Sequence, residues 1–165
     1  MSDISVSIVR HLGMVTLRGD LDVLAAAVAS VTGCARPDMR KRTTNGDAAL
    51  LWMSPDELLL LCPEDRTAPL VQELEAALSD SFATVAVVSD ARAVFDVAGP
   101  GAAQALAKLM PVDFPKIAPD EVRRTRMAQV AAAVWAEGQG YRVVCFRSVA
   151  EYADRLLRNA ASVGA

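Results

Sequence analysis

The hydrophobic pattern of the first half of the chain predicts two strands, a helical region and then a hairpin. Residues 4 to 9 and 14 to 18 are apolar or alternating over strand-like lengths, and Gly13 is expected to turn the chain between them. Two further apolar runs, at about 47 to 53 and 58 to 62, flank a Ser-Pro-Asp-Glu turn. This arrangement is typical of a β-hairpin, because proline fits the second position of such a turn.

Two helices are predicted in the same half. The first has apolar residues at helical spacing, with Asp20 or Asp22 as its N-cap and Gly33 as its stop. The second begins near Pro69, and its apolar face consists of Leu70, Val71, Leu74, Ala77 and Leu78. The segment from 34 to 46 lies between the first helix and the hairpin and is predicted to be a loop.

The second half shows a similar order of elements. Its strand-like runs are 82 to 89, 92 to 98, 122 to 127, 129 to 136 and 141 to 147. A helix is expected after the second run, entered through Gly99-Pro100-Gly101 and stopped by Pro111. A last helix starts near Ser148 and has apolar or small residues along one side.

An internal repeat links the two halves. Trp135 follows Trp52 by 83 positions, and Cys145 follows Cys62 by the same 83 positions. The stretch "VTLRGDL" also matches "FDVAGPG" at an offset of 80. The loop after the first helix absorbs the difference in offset, since loops tolerate insertions.

The repeat predicts the fold class and the domain organisation. Each unit of strands and helices must bury an apolar face, so two matching units usually form one domain. We therefore expect an internally duplicated α+β fold, with a single pseudosymmetric domain over 1–165 and repeat halves at about 1–80 and 81–165. The two tryptophans of the repeat are interpreted as equivalent core residues.

Composition narrows the classes of function. The chain has 17 Lys and Arg against 20 Asp and Glu, a net charge of -3, so it lacks the basic field that nucleic-acid binding requires. No run approaches the roughly 18–20 apolar residues of a membrane span, and the N-terminus has no basic start with a long apolar segment. A cytoplasmic protein is expected. Hydrophobic residues make up 53% of the chain, which favours apolar surface that a partner can cover.

Candidate nucleophiles and metal ligands are few. His11 is the single histidine, and nothing in the sequence places Cys34, Cys62 or Cys145 beside it. We interpret His11 as a solvated or hydrogen-bonded structural residue. Three widely spaced cysteines form no zinc motif, so we interpret them as reduced thiols in the core.

A glycine pair resembles part of a nucleotide-binding motif. Gly99 and Gly101 follow a strand, but Gln104 stands where the dinucleotide-binding motif has its third glycine. The segment is therefore interpreted as a helix entrance.

Charged residues supply the remaining candidates. The acidic ones are Asp20, Asp22, Asp56, Glu57, Asp90 and Asp96. Capping explains the first two and the hairpin turn the next two, which leaves Asp90 and Asp96 as candidates for an acid or base. The basic cluster from Arg36 to Arg42 is either a solvated loop or a site for a phosphate or an acidic partner.

Four stretches carry a resemblance to a known family. In chain order they are "ALLWMSPDELLLL", "VSDARAVFDVAGPGAAQALAKLMPVDF", "RTRMAQVAAAVW" and "RSVAEYADRLL". Together they resemble the gamma subunit of heterotetrameric sarcosine oxidase from about residue 14 to 158. The resemblance implies a fold like the folate-binding domain of glycine-cleavage T protein, in which each half has two strands, a helix, three strands and a helix. The sequence shows only two strands after the first helix, so one is either hidden within 34–46 or missing.

The resemblance also implies a function. The assembled enzyme would demethylate sarcosine oxidatively to glycine, release hydrogen peroxide and pass the one-carbon unit to tetrahydrofolate. FAD, FMN, NAD and tetrahydrofolate would bind other subunits, and the expected partners are the larger alpha and beta chains together with a small delta subunit. This chain would be a structural subunit without catalytic, cofactor-binding or metal-binding residues. The alternative is a stand-alone folate-binding or aminomethyltransferase-like module.

Overall fold

A computed structural model describes residues 4–162 and divides the chain into two compact units. One unit comprises residues 11–89, and the other comprises residues 4–10 together with 90–162. Each unit, as far as residues 4–162 describe it, contains one five-stranded antiparallel sheet and two α-helices.

The unit of residues 11–89 contains seven elements, of which six lie in the first half of the chain and one lies at the start of the second half. They are β2 (Leu12–Arg18), α1 (Leu21–Thr32), β3 (Arg42–Asn45), β4 (Ala48–Ser54), β5 (Glu57–Pro63), α2 (Thr67–Ala77) and β6 (Thr84–Val87). The other unit contains β1 (Ser5–Ile8), β7 (Arg92–Ala98), α3 (Ala102–Ala107), β8 (Val122–Met127), β9 (Val130–Glu137), β10 (Gly140–Phe146) and α4 (Ala150–Ser162). In chain order each half therefore has two strands, a helix, three strands and a helix, which confirms the predicted α+β class and the expected order of elements.

Two sequence predictions need correction within this order. The segment 34–46 is not all loop, because β3 forms in it and pairs with β4. The third helix ends at Ala107 rather than at Pro111, and Met110 is buried beyond its end. A strand of four polar residues such as β3 has no hydrophobic alternation to reveal it.

The two sheets have the same order of elements. Their strand orders are β3-β4-β5-β2-β6 and β8-β9-β10-β7-β1. Strands β1 and β2 do not form a hairpin, because β1 pairs with β7 whereas β2 pairs with β5 and β6. The interpretation of Gly13 as a turn residue is wrong, because it lies inside β2. A Cβ atom there would stand 2.0 Å from the Thr67 Oγ1 atom, so the glycine permits a close approach of α2.

The helices cover one face of each sheet. In the unit of residues 11–89 the covered core includes Val15, Leu17, Leu24, Val28, Leu50, Leu58, Leu60 and Leu74. In the other unit it includes Phe95, Val97, Leu106, Phe114, Met127, Val134, Val143 and Leu157. Burying side chains of this size stabilises the fold by about 1.5–3 kcal/mol each.

The local signals of α1 were read correctly. The Asp20 Oδ1 atom accepts hydrogen bonds from the backbone N–H groups of Asp22 and Val23, at 2.9 and 3.1 Å. Gly33 closes the helix with φ 76°, a left-handed conformation that glycine adopts without strain.

The two tryptophans are not equivalent. The hairpin of β4 and β5 contains a register shift between Trp52 and Ser54, whereas the β9–β10 register is continuous. The extra residue turns Trp52 onto the helix-covered face, where it is partly buried. Trp135 is fully buried and lies on the face opposite Val134, since neighbouring residues of a strand alternate.

Candidate functional site

The single histidine takes part in a surface ion pair. The Nδ1 atom of His11 lies 2.9 Å from the Glu64 Oε2 atom, and both side chains are mostly exposed. Its backbone has φ 57°, and its carbonyl accepts a hydrogen bond from the Glu64 backbone N–H at 3.1 Å. The interpretation of His11 as a hydrogen-bonded structural residue fits this geometry.

The three cysteines are buried free thiols. Burial raises the pKa of the Cys62 thiol and of the Cys145 thiol, so both stay protonated at neutral pH. The Cys34 Sγ atom lies 3.6 Å from the Ala48 carbonyl oxygen. A protonated, buried thiol is a weak nucleophile, which agrees with a core role for Cys62 and Cys145.

Most acidic candidates are held in structural pairs. Asp96 on β7 stands opposite Arg142 on β10, and its Oδ1 atom is 2.9 Å from the Arg142 Nε atom. The buried Glu57 carboxylate accepts a hydrogen bond of 3.1 Å from Arg18. Asp90 is exposed in a short 3-10 helix, Ser89–Ala91, before β7.

The glycines before α3 admit a neighbouring side chain. A Cβ atom on Gly101 would lie 2.7 Å from the Ile4 Cδ1 atom, so this glycine makes room for the chain before β1. Gly99 has φ 114°, and its carbonyl accepts a hydrogen bond from the Ala102 backbone N–H at 3.0 Å. Both glycines are thus used by the turn into α3 and by its packing.

The positive charge of the basic cluster from Arg36 to Arg42 is partly neutralised by a carboxylate of α1. The Nε atom of Arg36 lies 2.7 Å from the Asp22 Oδ1 atom, so Asp22 is an ion-pair partner rather than the N-cap of α1. Arg42 opens β3, and the turn before it places Arg40 at φ 62°.

The described part of the chain shows neither a metal-ligand cluster nor a membrane-spanning helix. Between residues 4 and 162, no group of three or more His, Cys, Asp or Glu side chains is arranged to hold a metal ion. No helix in that range is long and apolar enough to cross a bilayer.

The edge strands differ in chemistry. The edge strand β8 carries three arginines, Arg123, Arg124 and Arg126, and β3 begins with Arg42. The edge strands β6 and β1 have the sequences TVAV and SVSI and carry no charge. Charged side chains protect a sheet edge against pairing with another chain, so β6 and β1 are the less protected edges.

Exposed apolar side chains accompany β6. Phe82, two residues before the strand, has a relative exposure of 104%, and Val87 at its end has 54%. Sequence reasoning missed both residues because it placed the whole run 82–89 in one strand. Isolated apolar residues are normal on a surface, but a fully exposed phenyl ring beside an uncharged sheet edge is the kind of feature found at interfaces.

The chain matches a known family over most of its length. The model of the sarcosine oxidase, gamma subunit family matches residues 18–163. The sarcosine oxidase subunit gamma of Corynebacterium sp. strain U-96 is 31% identical over 143 residues, which cover 83% of this chain and 68% of the relative. Among the curated relatives that match, the shared region spans between 45% and 68% of the relative's own length.

Solved structures show the same fold. A chain of the heterotetrameric sarcosine oxidase from Corynebacterium sp. U-96 superposes with a TM-score of 0.88 at 27% identity, covering 96% of this chain and 84% of that one. Aminomethyltransferase T of the glycine cleavage system from Bartonella henselae superposes with a TM-score of 0.71 at 13% identity, covering 94% of this chain and 45% of that one. The second likeness concerns the fold alone and confirms the expected T-protein-like architecture. On the family match and the agreement of fold, the chain belongs to the sarcosine oxidase gamma subunit family.

Proposed function

We propose that this chain is the gamma subunit of a heterotetrameric sarcosine oxidase and serves there as a structural subunit. The observation that carries the proposal is the TM-score of 0.88 to a chain of such a heterotetramer, over 96% of this chain. The partners would be the larger alpha and beta subunits and a small delta subunit. The assembly would oxidise sarcosine to glycine, reduce oxygen to hydrogen peroxide and deliver the one-carbon unit to tetrahydrofolate.

The polar residues support a structural role. Side chains that could act as acids or bases are engaged with neighbours in the same unit, as in the pairs Asp96–Arg142, Glu57–Arg18 and His11–Glu64. The proposal therefore assigns FAD, FMN, NAD and tetrahydrofolate to the other subunits and gives this chain no catalytic, cofactor-binding or metal-binding residue.

The contribution of such a subunit is the surface it covers. Each Å² of apolar surface removed from water favours association by about 25 cal/mol before the entropic cost of association is subtracted. A subunit that binds only the folded form of its partners also raises their stability by mass action.

We also infer a cytoplasmic location and an origin by duplication. The three unpaired thiols fit a reducing compartment. Duplication is supported by the two sheets, which have the same strand order, and by the helices that follow corresponding strands. The inferred repeat halves remain about 1–80 and 81–165 in a single pseudosymmetric domain over 1–165.

Co-purification tests the assembly. A tagged version of this chain, co-expressed with the larger sarcosine oxidase subunits of the same source, should elute with them in constant stoichiometry. The complex should produce hydrogen peroxide from sarcosine, and the chain alone should not. Failure to co-elute, or oxygen consumption on sarcosine by the chain alone, would contradict the proposal.

Calorimetry separates this function from a stand-alone folate-binding module. Titration of the isolated chain with tetrahydrofolate should give no saturable heat at high micromolar ligand. Saturable one-to-one binding would favour the folate-binding module instead.

A further inference from the structure

We propose that the outer edge of β6, together with Phe82, is where a larger subunit adds an extended strand to this chain. The inference rests on the proposed function, since it names the surface and the kind of segment through which assembly occurs. The segment would be uncharged and extended, with an apolar pocket beside it that receives the phenyl ring of Phe82.

The backbone of β6 leaves hydrogen-bonding groups on its outer side. The Val88 backbone N–H donates to the Met14 carbonyl at 2.8 Å, one residue beyond the Val15–Val87 pair that ends the β2–β6 register. Because inward-facing and outward-facing residues alternate in an antiparallel pair, the N–H and C=O groups of Val85 and Val87 point away from β2. In residues 4–162, β6 pairs with β2 alone and forms the end of its sheet. An added strand would satisfy these groups, which is the usual basis of strand addition.

The charge distribution distinguishes β6 from the opposite edges. The edges at β3 and β8 begin with or contain arginine, whereas all four residues of β6 are uncharged. The corresponding uncharged edge in the other unit is β1, but two of its four residues are serines and Arg158 lines the hollow beside it. The absence of charge on β6 and the aromatic ring beside it together favour β6 over β1 as the edge for strand addition.

The backbone around Phe82 is held while the ring faces solvent. Gly19, at φ 147°, lies so close that a Cβ atom there would be 3.0 Å from the Phe82 carbonyl oxygen. The Ser81 backbone N–H donates to the Leu78 carbonyl at 2.9 Å. The phenyl ring is therefore presented from a fixed backbone, which reduces the ordering cost when it enters a pocket.

The size of the surface favours a larger chain over a second copy. Four strand residues span about 13 Å, and a buried phenylalanine contributes about 150–250 Å². A stable dimer buries about 800 Å² on each partner, so this edge alone is too small to hold two copies together. A large subunit that also contacts other surfaces does not have this limit.

Paired substitutions test the proposal in the complex. Val87→Pro removes an outward-facing N–H and leaves the ladder to β2 intact, since proline is tolerated at such edge positions. Ile8→Pro is the matched control, because Ile8 occupies the corresponding outward-facing position of β1 and is 40% exposed. Phe82→Asp tests the ring, and Met39→Asp is its control at a loop residue that is 67% exposed.

The readout is the dissociation constant for the larger subunits, measured by immobilising the tagged chain. Val87→Pro and Phe82→Asp should each weaken binding roughly tenfold or more, as the loss of a central interface anchor does, while the controls stay within about twofold. Thermal unfolding of the isolated variants should show that all four keep a melting temperature near that of the original chain. Phe82→Asp leaves the sheet hydrogen bonds untouched, so it remains informative if a proline variant unfolds.

Three outcomes overturn the inference. The first is that the single variants Phe82→Asp and Val87→Pro both bind the larger subunits with the dissociation constant of the original chain. The second is that the control variants weaken binding as much as these two do. The third is self-association of the isolated chain that Phe82→Asp abolishes, which would assign the edge to a second copy. If the unaltered chain does not bind the larger subunits at all, the proposed function itself fails, and this result is distinguishable from the other three.

Discussion

The two units pack the start of a helix against their sheets with different side chains. The helices concerned are α2, which follows β5, and α4, which follows β10. In the unit of residues 11–89, Gly13 pairs with Cys62, and Thr67 opens α2 above them. In the other unit, Ala93 pairs with Cys145, and Ala150 opens α4. A glycine with a threonine in one unit therefore corresponds to two alanines in the other.

This difference shows that the shared fold fixes volumes more strongly than it fixes residues. The space between the strand and the first residue of the helix holds a fixed volume of side chain. In one unit the Thr67 side chain packs over a glycine, and in the other unit the methyl groups of two alanines occupy this space. Protein interiors are packed so closely that only compensated changes of this kind are tolerated.

The largest expected effect contrasts the two tryptophans. Trp135→Ala removes a fully buried ring whose Nε1–H donates to Glu137 at 3.1 Å, so it should lower the free energy of unfolding by about 3–5 kcal/mol. Trp52→Ala should cost clearly less, because Trp52 is only partly buried on the other face of its sheet. Urea denaturation of both variants measures the difference, and equal losses would contradict the assignment of the two rings to different environments.

The next effect breaks the compensated pair. Gly13→Ala places a methyl group within 2.0 Å of the Thr67 Oγ1 atom and should cost about 1–3 kcal/mol of stability. Adding Thr67→Ala should recover part of the loss, because the double variant carries the alanine pair found in the other unit. A double-mutant cycle by urea denaturation measures the coupling. Independent, additive effects of the two substitutions would show that the contact is unimportant.

A smaller effect contrasts the starts of two helices. Asp20→Ala removes the side-chain cap of α1 and should lower the free energy of unfolding by about 1 kcal/mol. Pro100 stands at the matching offset before α3, whose N-cap Gly101 makes no side-chain capping bond, so Pro100→Ala should not show a capping loss. Thermal unfolding of the two variants provides the comparison. A loss for Pro100→Ala as large as that for Asp20→Ala would mean that capping is not the cause.

The smallest effect concerns pH and the two equivalent cysteines. Burial raises the pKa of Cys62 and of Cys145 above the ordinary value of 9.0, so the unfolded chain loses these protons more easily. Their contribution to stability is therefore complete below pH 9.0 and is lost as the pH rises through the raised values. The free energy of unfolding should fall as the pH rises above 9.0, and it should fall less steeply in the double variant Cys62→Ala, Cys145→Ala. Identical slopes would remove the thiols as the cause.

Much of the fold could be predicted because its signals are local. The Ser-Pro-Asp-Glu turn, the N-cap Asp20 and the stop at Gly33 each act through neighbouring residues, and all three appear in the structure as expected. Only some of the acidic residues could be assigned from their neighbours in the sequence. Asp96 could not be assigned from the sequence, because its partner Arg142 is 46 positions away on a neighbouring strand.

Sequence by itself determined which segments become strands and helices, since hydrophobic periodicity, caps and turns are properties of short stretches. Tertiary structure decided which strands pair, as β1 with β7 and β6 with β2. It also decided that one extra residue in β4 separates the environments of Trp52 and Trp135. The physical reason is that a four-residue strand forms the same backbone hydrogen bonds with any neighbour, so packing over long sequence distances selects the partner and the face.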